Sequence, residues 1–129
     1  MPLVKIETRK WLTADQKARL FDAVHRALVV AFRIPDGDRN QRLIEYDPAD
    51  FESASDKGER FTIVTIDAFA GRSADAKRAL YREMVSNLEQ VGIPSSDVVV
   101  VIHDVPPQSW GVRGGKPASE VDLGYDIEV

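Results

Sequence analysis

The chain begins MPLVKIE, and Pro2 stands directly before a short apolar run that is typical of a β-strand. Proline is tolerated as the first residue of a strand, because its missing N–H need not join a ladder. If Met1 is removed, Pro2 becomes the chain terminus and carries a secondary amine. A neutral amine can take a proton from one substrate atom and return it to another. The sequence therefore suggests that Pro2 is a general acid–base residue, with an ordinary strand start as the alternative.

The composition excludes several classes of function. The 129 residues fit one domain, and a hydrophobic fraction of 43% allows a core. The formal net charge of −4 gives no broad attraction to nucleic acid or to an anionic membrane. There is no cysteine, and His25 and His103 lack the spacing of metal ligands, so we expect no metal and no cofactor, and structural roles for both histidines. No apolar run reaches the roughly 18 residues of a membrane span, so we expect a cytoplasmic protein.

An internal repeat organises the chain. Residues 13–35 resemble residues 73–94, at an offset of about sixty residues. The match extends to the preceding apolar runs, where Pro2 aligns with Thr62. Two copies of one unit therefore make up most of the chain, and only the first copy begins near a free terminus.

Each copy is predicted to fold as a β-α-β unit. Apolar residues recur at helical spacing in its middle segment. Thr13 begins a capping-box pattern, Ser73 is a candidate N-cap, and Gly92 is suited to end the second helix. Second strands are expected at about 40–46 and 98–103. Right-handed crossovers place both helices on one face of a four-stranded sheet, which predicts an α+β fold.

The other face of that sheet needs a partner. The valine-rich run at 98–102 is apolar on both sides, and no residues are left to cover it, so we expect other subunits there. The C-terminal VDLGYDIEV alternates apolar and polar residues, which predicts a half-buried strand pairing within or between subunits. The predicted organisation is a single domain over 1–129, with repeat halves at about 1–47 and 60–104 and a C-terminal loop and strand at 105–129.

Two linkers differ in character. The first, at 47–59, is polar and connects the halves, and the charged run at 56–60 is interpreted as solvated. The second, at 105–120, is rich in Gly and Pro and carries Trp110 and Arg113. A tryptophan in such a loop usually packs in a lid or an interface.

These features together resemble the tautomerase superfamily: a terminal proline on the first strand, the duplicated unit, and GRS at the start of the second helix. Within it, the chain is most similar to the malonate semialdehyde decarboxylase-like group of fused repeats. AFRIPDGDRNQ resembles the region around that group's catalytic aspartate, which implies this role for Asp38. AGRSADAKRALY resembles the start of its second helix, which implies a carboxylate-binding arginine at Arg72. The resemblance also implies a homotrimer.

Two positions depart from the decarboxylase pattern. Ala70 stands where the decarboxylase has the first of two arginines, and Val112 replaces an aromatic residue two positions after the loop tryptophan. The broader tautomerase assignment needs only Pro2 and a cationic anchor, so these differences favour it over the decarboxylase.

The leading hypothesis is an isomerase that catalyses keto–enol tautomerisation of a 2-oxo acid such as phenylpyruvate. The pKa of an α-amine is about 8 and falls in an apolar pocket near a cation, which leaves Pro2 a neutral base. Arg72 would bind the carboxylate through its planar fork, aided by N–H groups at the helix start. Four further side chains are candidates for substrate binding. Arg39 or Arg113 could stabilise the enolate oxygen, and Trp110 and Val112 could form apolar walls.

Other functions remain open at this point. A lyase would decarboxylate a 3-oxo acid or hydrate an acetylenic one, with a cationic Pro2 and assistance from Asp38. A non-catalytic binding protein on the same fold is favoured if Met1 is retained, because an amide nitrogen cannot act as a base. Structural roles also compete: a solvated helix start for Arg72, a turn for Asp38 and an interface contact for Trp110.

Overall fold

The computed structural model describes all 129 residues. Two β-α-β units follow one another and are succeeded by a small hairpin and a tail. Neither helix combines the length and the apolar character that a membrane span requires. The elements in chain order are β1 Leu3–Arg9, α1 Ala14–Phe32, β2 Gln41–Tyr46, β3 Thr62–Phe69, α2 Ala74–Val91, β4 Val98–Val105, β5 Gly111–Val112 and β6 Lys116–Pro117.

The helix ends follow the predicted caps. Thr13 Oγ1 accepts a hydrogen bond from the Gln16 N–H at 3.2 Å, and the Gln16 side chain accepts from the Thr13 N–H at 2.9 Å, which completes the capping box. Ser73 caps α2 by accepting from the Ala76 N–H at 3.1 Å. Gly92 ends α2 at φ 104°, in the left-handed region that glycine adopts without a Cβ clash.

The sheet order is β2-β1-β3-β4, with β1 and β3 antiparallel at the centre and the outer pairs parallel. Leu3 pairs with Asp67, and Glu7 pairs with Ile63. The repeat offset of about sixty residues relates Leu3 to Ile63 and Glu7 to Asp67, so exchanging the two halves turns one pair into the other and leaves the ladder in register. The start of β1 therefore lies beside the end of β3, and the start of β3 lies beside the end of β1. The molecule has two equivalent ends.

Both helices cover one face of the sheet, as predicted. Val4 and Ile6 of β1 and Val64 and Ile66 of β3 are buried against them, with the intervening residues half-buried. The opposite face is open in the single chain: Ile44 and Val101 are 38% and 40% exposed. An apolar patch of this kind is typical of a subunit interface.

A strand is predicted in the C-terminal VDLGYDIEV, but the additional strands lie earlier in the chain. The antiparallel pair β5 and β6 belongs to the 105–120 loop, whereas residues 121–129 form no strand. The tail nevertheless alternates half-buried and exposed residues along its length. The alternating pattern correctly predicted one-sided burial, but it carries no information on whether a neighbouring strand is available for pairing.

Candidate active site

The chain terminus lies at one of the two equivalent ends. Pro2 is buried, and the Met1 ammonium forms an ion pair with Asp38. The second Asp38 oxygen accepts a hydrogen bond from the Asn40 side chain at 2.9 Å. Asp38 therefore lies beside the chain terminus, in contact with the residue before Pro2.

A buried histidine fixes the turn that carries Asp38. His25 on α1 is only 2% exposed, and its Nε2 lies 2.7 Å from the Asp36 carbonyl oxygen. Since a carbonyl can only accept, Nε2 carries the hydrogen of this bond. The Asp38 N–H donates to the Pro35 carbonyl at 3.0 Å, which closes the turn. The structural role predicted for His25 is therefore to hold the Asp38 turn against α1.

Tyr125 joins the site from the tail, and sequence reasoning missed it. Its hydroxyl donates to the Met1 carbonyl oxygen at 2.6 Å. Burial and the Asp38 carboxylate raise the pKa of Tyr125, so the phenol stays protonated as a donor at neutral pH. The only sequence signal was a tyrosine at a half-buried position of the tail, where its hydroxyl requires a partner.

These groups line a cavity of about 330 Å³ beside the terminus. Besides Asp38, two further predicted residues lie in its wall, Val112 and Arg113. Arg113 adopts φ 47° and donates to the Asp122 carbonyl at 2.6 Å, which ties the hairpin loop to the tail. The lining is Met1, Asp38, Phe69, Gly111, Val112, Arg113, Leu123 and Tyr125.

Trp110 supports this wall from behind. Its ring packs against Phe69 with centroids 4.9 Å apart, and its Nε1–H donates to the Val105 carbonyl at 3.1 Å. Phe69, Trp110 and Ala118 form a small apolar cluster separate from the main core. Trp110 is next to the cavity but does not line it.

Arg72 is buried close to the site, at 6% exposure. Its Nη1 donates to the Phe69 carbonyl at 3.0 Å, and the guanidinium lies 4.9 Å from the centroid of the Phe32 ring. Its Nε and Nη2 groups are buried without a hydrogen-bond partner. Burial lowers the pKa of Arg72, and the neighbouring Tyr125 opposes that shift. A buried cation with two unsatisfied donors is poised to bind an anion.

The tail covers the start of α2, where Arg72 lies. The Ser73 N–H donates to the Val129 carbonyl at 2.8 Å. A Cβ at Gly71, whose φ is 138°, would lie 3.1 Å from the Ile127 carbonyl oxygen. Arg72 consequently does not line the cavity, because Tyr125 and the residues after it pass between the two.

Arg39 lies outside this site. Its Nη2 donates to Asp22 at 2.7 Å, and it lines a different cavity together with His25 and Asp36. The turn that directs Asp38 toward the terminus directs the next residue toward α1. Of the predicted site residues, the structure brings together Pro2, Asp38, Val112 and Arg113, with Trp110 and Arg72 in the layer behind.

Comparisons with known proteins identify the family and the fold. A 45-residue segment, 34% of this chain and 71% of the relative, is 47% identical to the 2-hydroxymuconate tautomerase of Comamonas testosteroni. The FG41 malonate semialdehyde decarboxylase inhibited by 3-bromopropiolate is 26% identical, with a TM-score of 0.84 over 94% of this chain and 98% of that chain. A fused 4-OT solved as a symmetric trimer is 29% identical, with a TM-score of 0.82 over 91% and 96%. Residues 38–113, more than half of the chain, match the model of the tautomerase enzyme family. The chain belongs to the tautomerase family.

Proposed function

We propose that the processed chain, beginning at Pro2, catalyses keto–enol tautomerisation of a small 2-oxo acid, with phenylpyruvate as the simplest probe. The observation that carries this proposal is the position of Met1. Its ammonium group contacts Asp38, and its carbonyl accepts from Tyr125, directly beside the Pro2 nitrogen. Removal of Met1 would free a partly apolar space with a base at its edge and polar groups facing it.

In the proposed reaction, the neutral Pro2 amine takes the proton from the enol hydroxyl and delivers it to the adjacent carbon. Charge develops on the substrate oxygen during this transfer. Tyr125 would donate its hydrogen bond to that oxygen, because it already donates to the carbonyl that occupies this space. The amine ends the cycle neutral, so no cofactor is required.

Arg72 would bind the substrate carboxylate. Its two buried, unpartnered N–H groups support this role, since an anion would satisfy both at once. The tail separates Arg72 from the cavity, so substrate entry requires Tyr125 and the segment after it to move. Arg113, which lines the cavity, is the candidate second cation.

A specific observation favours the second candidate, a decarboxylase or hydratase. Asp38 lies beside the chain terminus, and a nearby carboxylate stabilises the protonated form of an amine. A cationic Pro2 would polarise a carbonyl or protonate carbon, as the lyase mechanism requires. The two candidates therefore predict opposite charges on Pro2 near pH 7.

We further propose that the active assembly is a homotrimer. The open sheet face with its exposed valine and isoleucine supports association, and the fused 4-OT neighbour is a trimer. Light scattering of the processed protein should give three times the chain mass of 14.4 kDa. A monomer at micromolar concentration would contradict the trimer without affecting the proposed chemistry.

The test of function follows the decay of enol-phenylpyruvate with the processed protein, a Pro2→Ala variant and a form that retains Met1. The Met1-retaining form keeps every side chain from Pro2 onward, but its Pro2 nitrogen is an amide and Met1 occupies part of the cavity, so Pro2→Ala is the variant that tests the secondary amine without filling this space. We expect both altered forms to be slower by at least about 100-fold, the usual scale of acid–base catalysis. Equal rates for all three would remove Pro2 from the mechanism. An amine that titrates well above pH 7 in NMR would favour the lyase.

A further inference from the structure

A second cavity lies at the opposite end of the molecule, where β1 and β2 end. Its volume is about 510 Å³, larger than that of the candidate active site. The lining is Arg9, Lys10, Trp11, Pro48, Ser53, Lys57, Gly58 and Glu59. Neither the family match nor the proposed reaction assigns a role to this cavity.

The repeat makes the two cavities counterparts. The register of β1 and β3 relates the end of β1 to the end of β3, so Arg9 occupies the position that Phe69 has beside the terminus. No terminal amine is available here, because the residue equivalent to Pro2 is the internal Thr62. Asp97, the counterpart of Asp38, is 4% exposed and accepts from the Gly58 N–H at 2.8 Å. Its carboxylate supports the backbone instead of facing the cavity.

The charges in this cavity are mostly positive, and two of them are not neutralised by close carboxylates. Arg9 donates to the Phe51 carbonyl at 2.8 Å and to Ser53 Oγ at 2.9 Å, both uncharged acceptors. Lys57 donates to the Ser96 carbonyl at 2.8 Å, and its nearest carboxylate, Asp56, is 3.9 Å away and largely exposed.

The other two charged residues of the lining, Lys10 and Glu59, add no unpaired positive charge to the cavity. Lys10 is paired with Asp47 at 2.8 Å, so its charge is already neutralised. Glu59 is the single acidic residue of the lining. Arg9 and Lys57 therefore supply an excess of positive charge, and an indole wall, Trp11, stands beside them.

We propose that this cavity is a second ligand site, which binds a small organic anion with a carboxylate group and a flat apolar body. The carboxylate would contact Arg9 and Lys57, and the apolar body would pack against Trp11. Because the terminal amine that the proposed reaction uses lies at the other end of the molecule, we expect this site to bind its ligand without tautomerising it. The chain would thus carry two anion sites, one at each end of the repeat.

The two tryptophans allow each site to be observed separately, since Trp11 lines the second cavity and Trp110 stands behind the first. The experiment titrates the full-length processed protein with phenylacetate, which has no 2-oxo group, and follows the two indole N–H signals by NMR. We expect a saturable shift of the Trp11 signal. A Trp11 signal that stays fixed, or that shifts linearly without saturation, would overturn the proposal.

Two variants locate the ligand. Arg9→Gln and Lys57→Gln should each weaken the affinity reported by Trp11 about tenfold, while the Trp110 titration and the enol-phenylpyruvate rate stay within about twofold. Arg9 also anchors the 51–58 segment, so Lys57→Gln keeps the test valid if Arg9→Gln loosens the loop. Arg82→Gln, an equal charge change at an exposed position of α2, is the control and should change neither titration. Unchanged Trp11 affinity in Lys57→Gln would refute the site even if the enzymatic proposal holds.

Discussion

The two ends of the molecule share one scaffold and differ in chemistry. At one end the strand begins with the chain terminus, and a carboxylate, a phenol and a buried guanidinium gather around it. At the other end the equivalent strand begins with an internal Thr62, whose hydroxyl donates to the Arg60 carbonyl at 2.9 Å, and cations line the cavity. Duplication copies strands, helices and cavities, but a chain has only one amino terminus. The comparison teaches that the proposed mechanism, which uses the terminal amine, depends on an asymmetry that the repeat itself cannot supply.

The largest expected difference in activity is between variants of Arg72, near the chain terminus, and of Arg9, at the opposite end. Arg72→Ala should lower kcat/KM for enol-phenylpyruvate by about 100-fold, because the substrate carboxylate loses its anchor. Its counterpart experiment, Arg9→Ala, should leave kcat/KM within about twofold. Steady-state kinetics on both variants provides the measurement.

A stability measurement separates binding from structure for Arg72. Removing Arg72 breaks its hydrogen bond to the Phe69 carbonyl but also removes a buried charge with two unpartnered donors, so the two effects should offset and the free energy of unfolding should change by no more than about 1 kcal/mol. Loss of several kcal/mol in urea unfolding would instead mean that Arg72 is a structural residue.

The tail tyrosine provides the next contrast. Tyr125→Phe should lower kcat about tenfold with little change in KM, since the lost hydrogen bond acts on the oxygen where charge develops. Tyr46→Phe is the matched control, because its hydroxyl donates to Glu7 at 2.6 Å near the opposite end. Equal losses in the two variants would show that Tyr125 acts only through general packing.

Substitutions of Asp38 and Asp97, which occupy equivalent positions in the two repeats, should separate an effect on activity from an effect on stability. Asp97→Ala should destabilise the fold by about 2 kcal/mol, because the hydrogen bond from the Gly58 N–H to the buried Asp97 carboxylate is lost. Its catalytic rate per folded molecule should stay unchanged. Asp38→Ala should do the reverse, changing the rate or the titration of the Pro2 amine while the urea midpoint moves little. Reversal of this pattern would reject the assignment of the site to the Pro2 end.

Much of this arrangement was predictable because the signals are local or repeated. Thr13, Ser73 and Gly92 each fix a helix end through their own side chain or backbone freedom. The chain terminus and Asp38 come together because the parallel pairing of β1 with β2 places the start of β1 beside the turn after α1. These contacts depend on strand order and crossover handedness, which the sequence pattern predicts.

The remaining parts depend on chain paths that no local pattern encodes. Alternation in the tail predicts a half-buried face but not which surface it meets, so the contact of Tyr125 with Met1 was not foreseen. Arg39 diverges from the site because a tight turn sends neighbouring residues in opposite directions. The charged run at 56–60 was interpreted as solvated, yet the side chain of Lys57 is only 22% exposed and lies beside Phe61.

The smallest expected effect is a pH dependence of stability carried by the two bonded tyrosines. Burial raises the pKa of Tyr125, and the hydrogen bond to Glu7 raises the pKa of Tyr46, each above the ordinary value of 10.0. A group that holds its proton more tightly when folded contributes stability below its unfolded pKa and loses it as pH rises through the folded pKa. Urea midpoints should therefore fall as the pH rises above about 10. Tyr125→Phe and Tyr46→Phe should each flatten part of this decline, whereas Tyr81→Phe, at an exposed position on α2, should not. If only one of Tyr125→Phe and Tyr46→Phe flattens the curve, only that tyrosine hydroxyl stabilises the folded state. The hydrogen bond of the other tyrosine then contributes nothing to the free energy of unfolding.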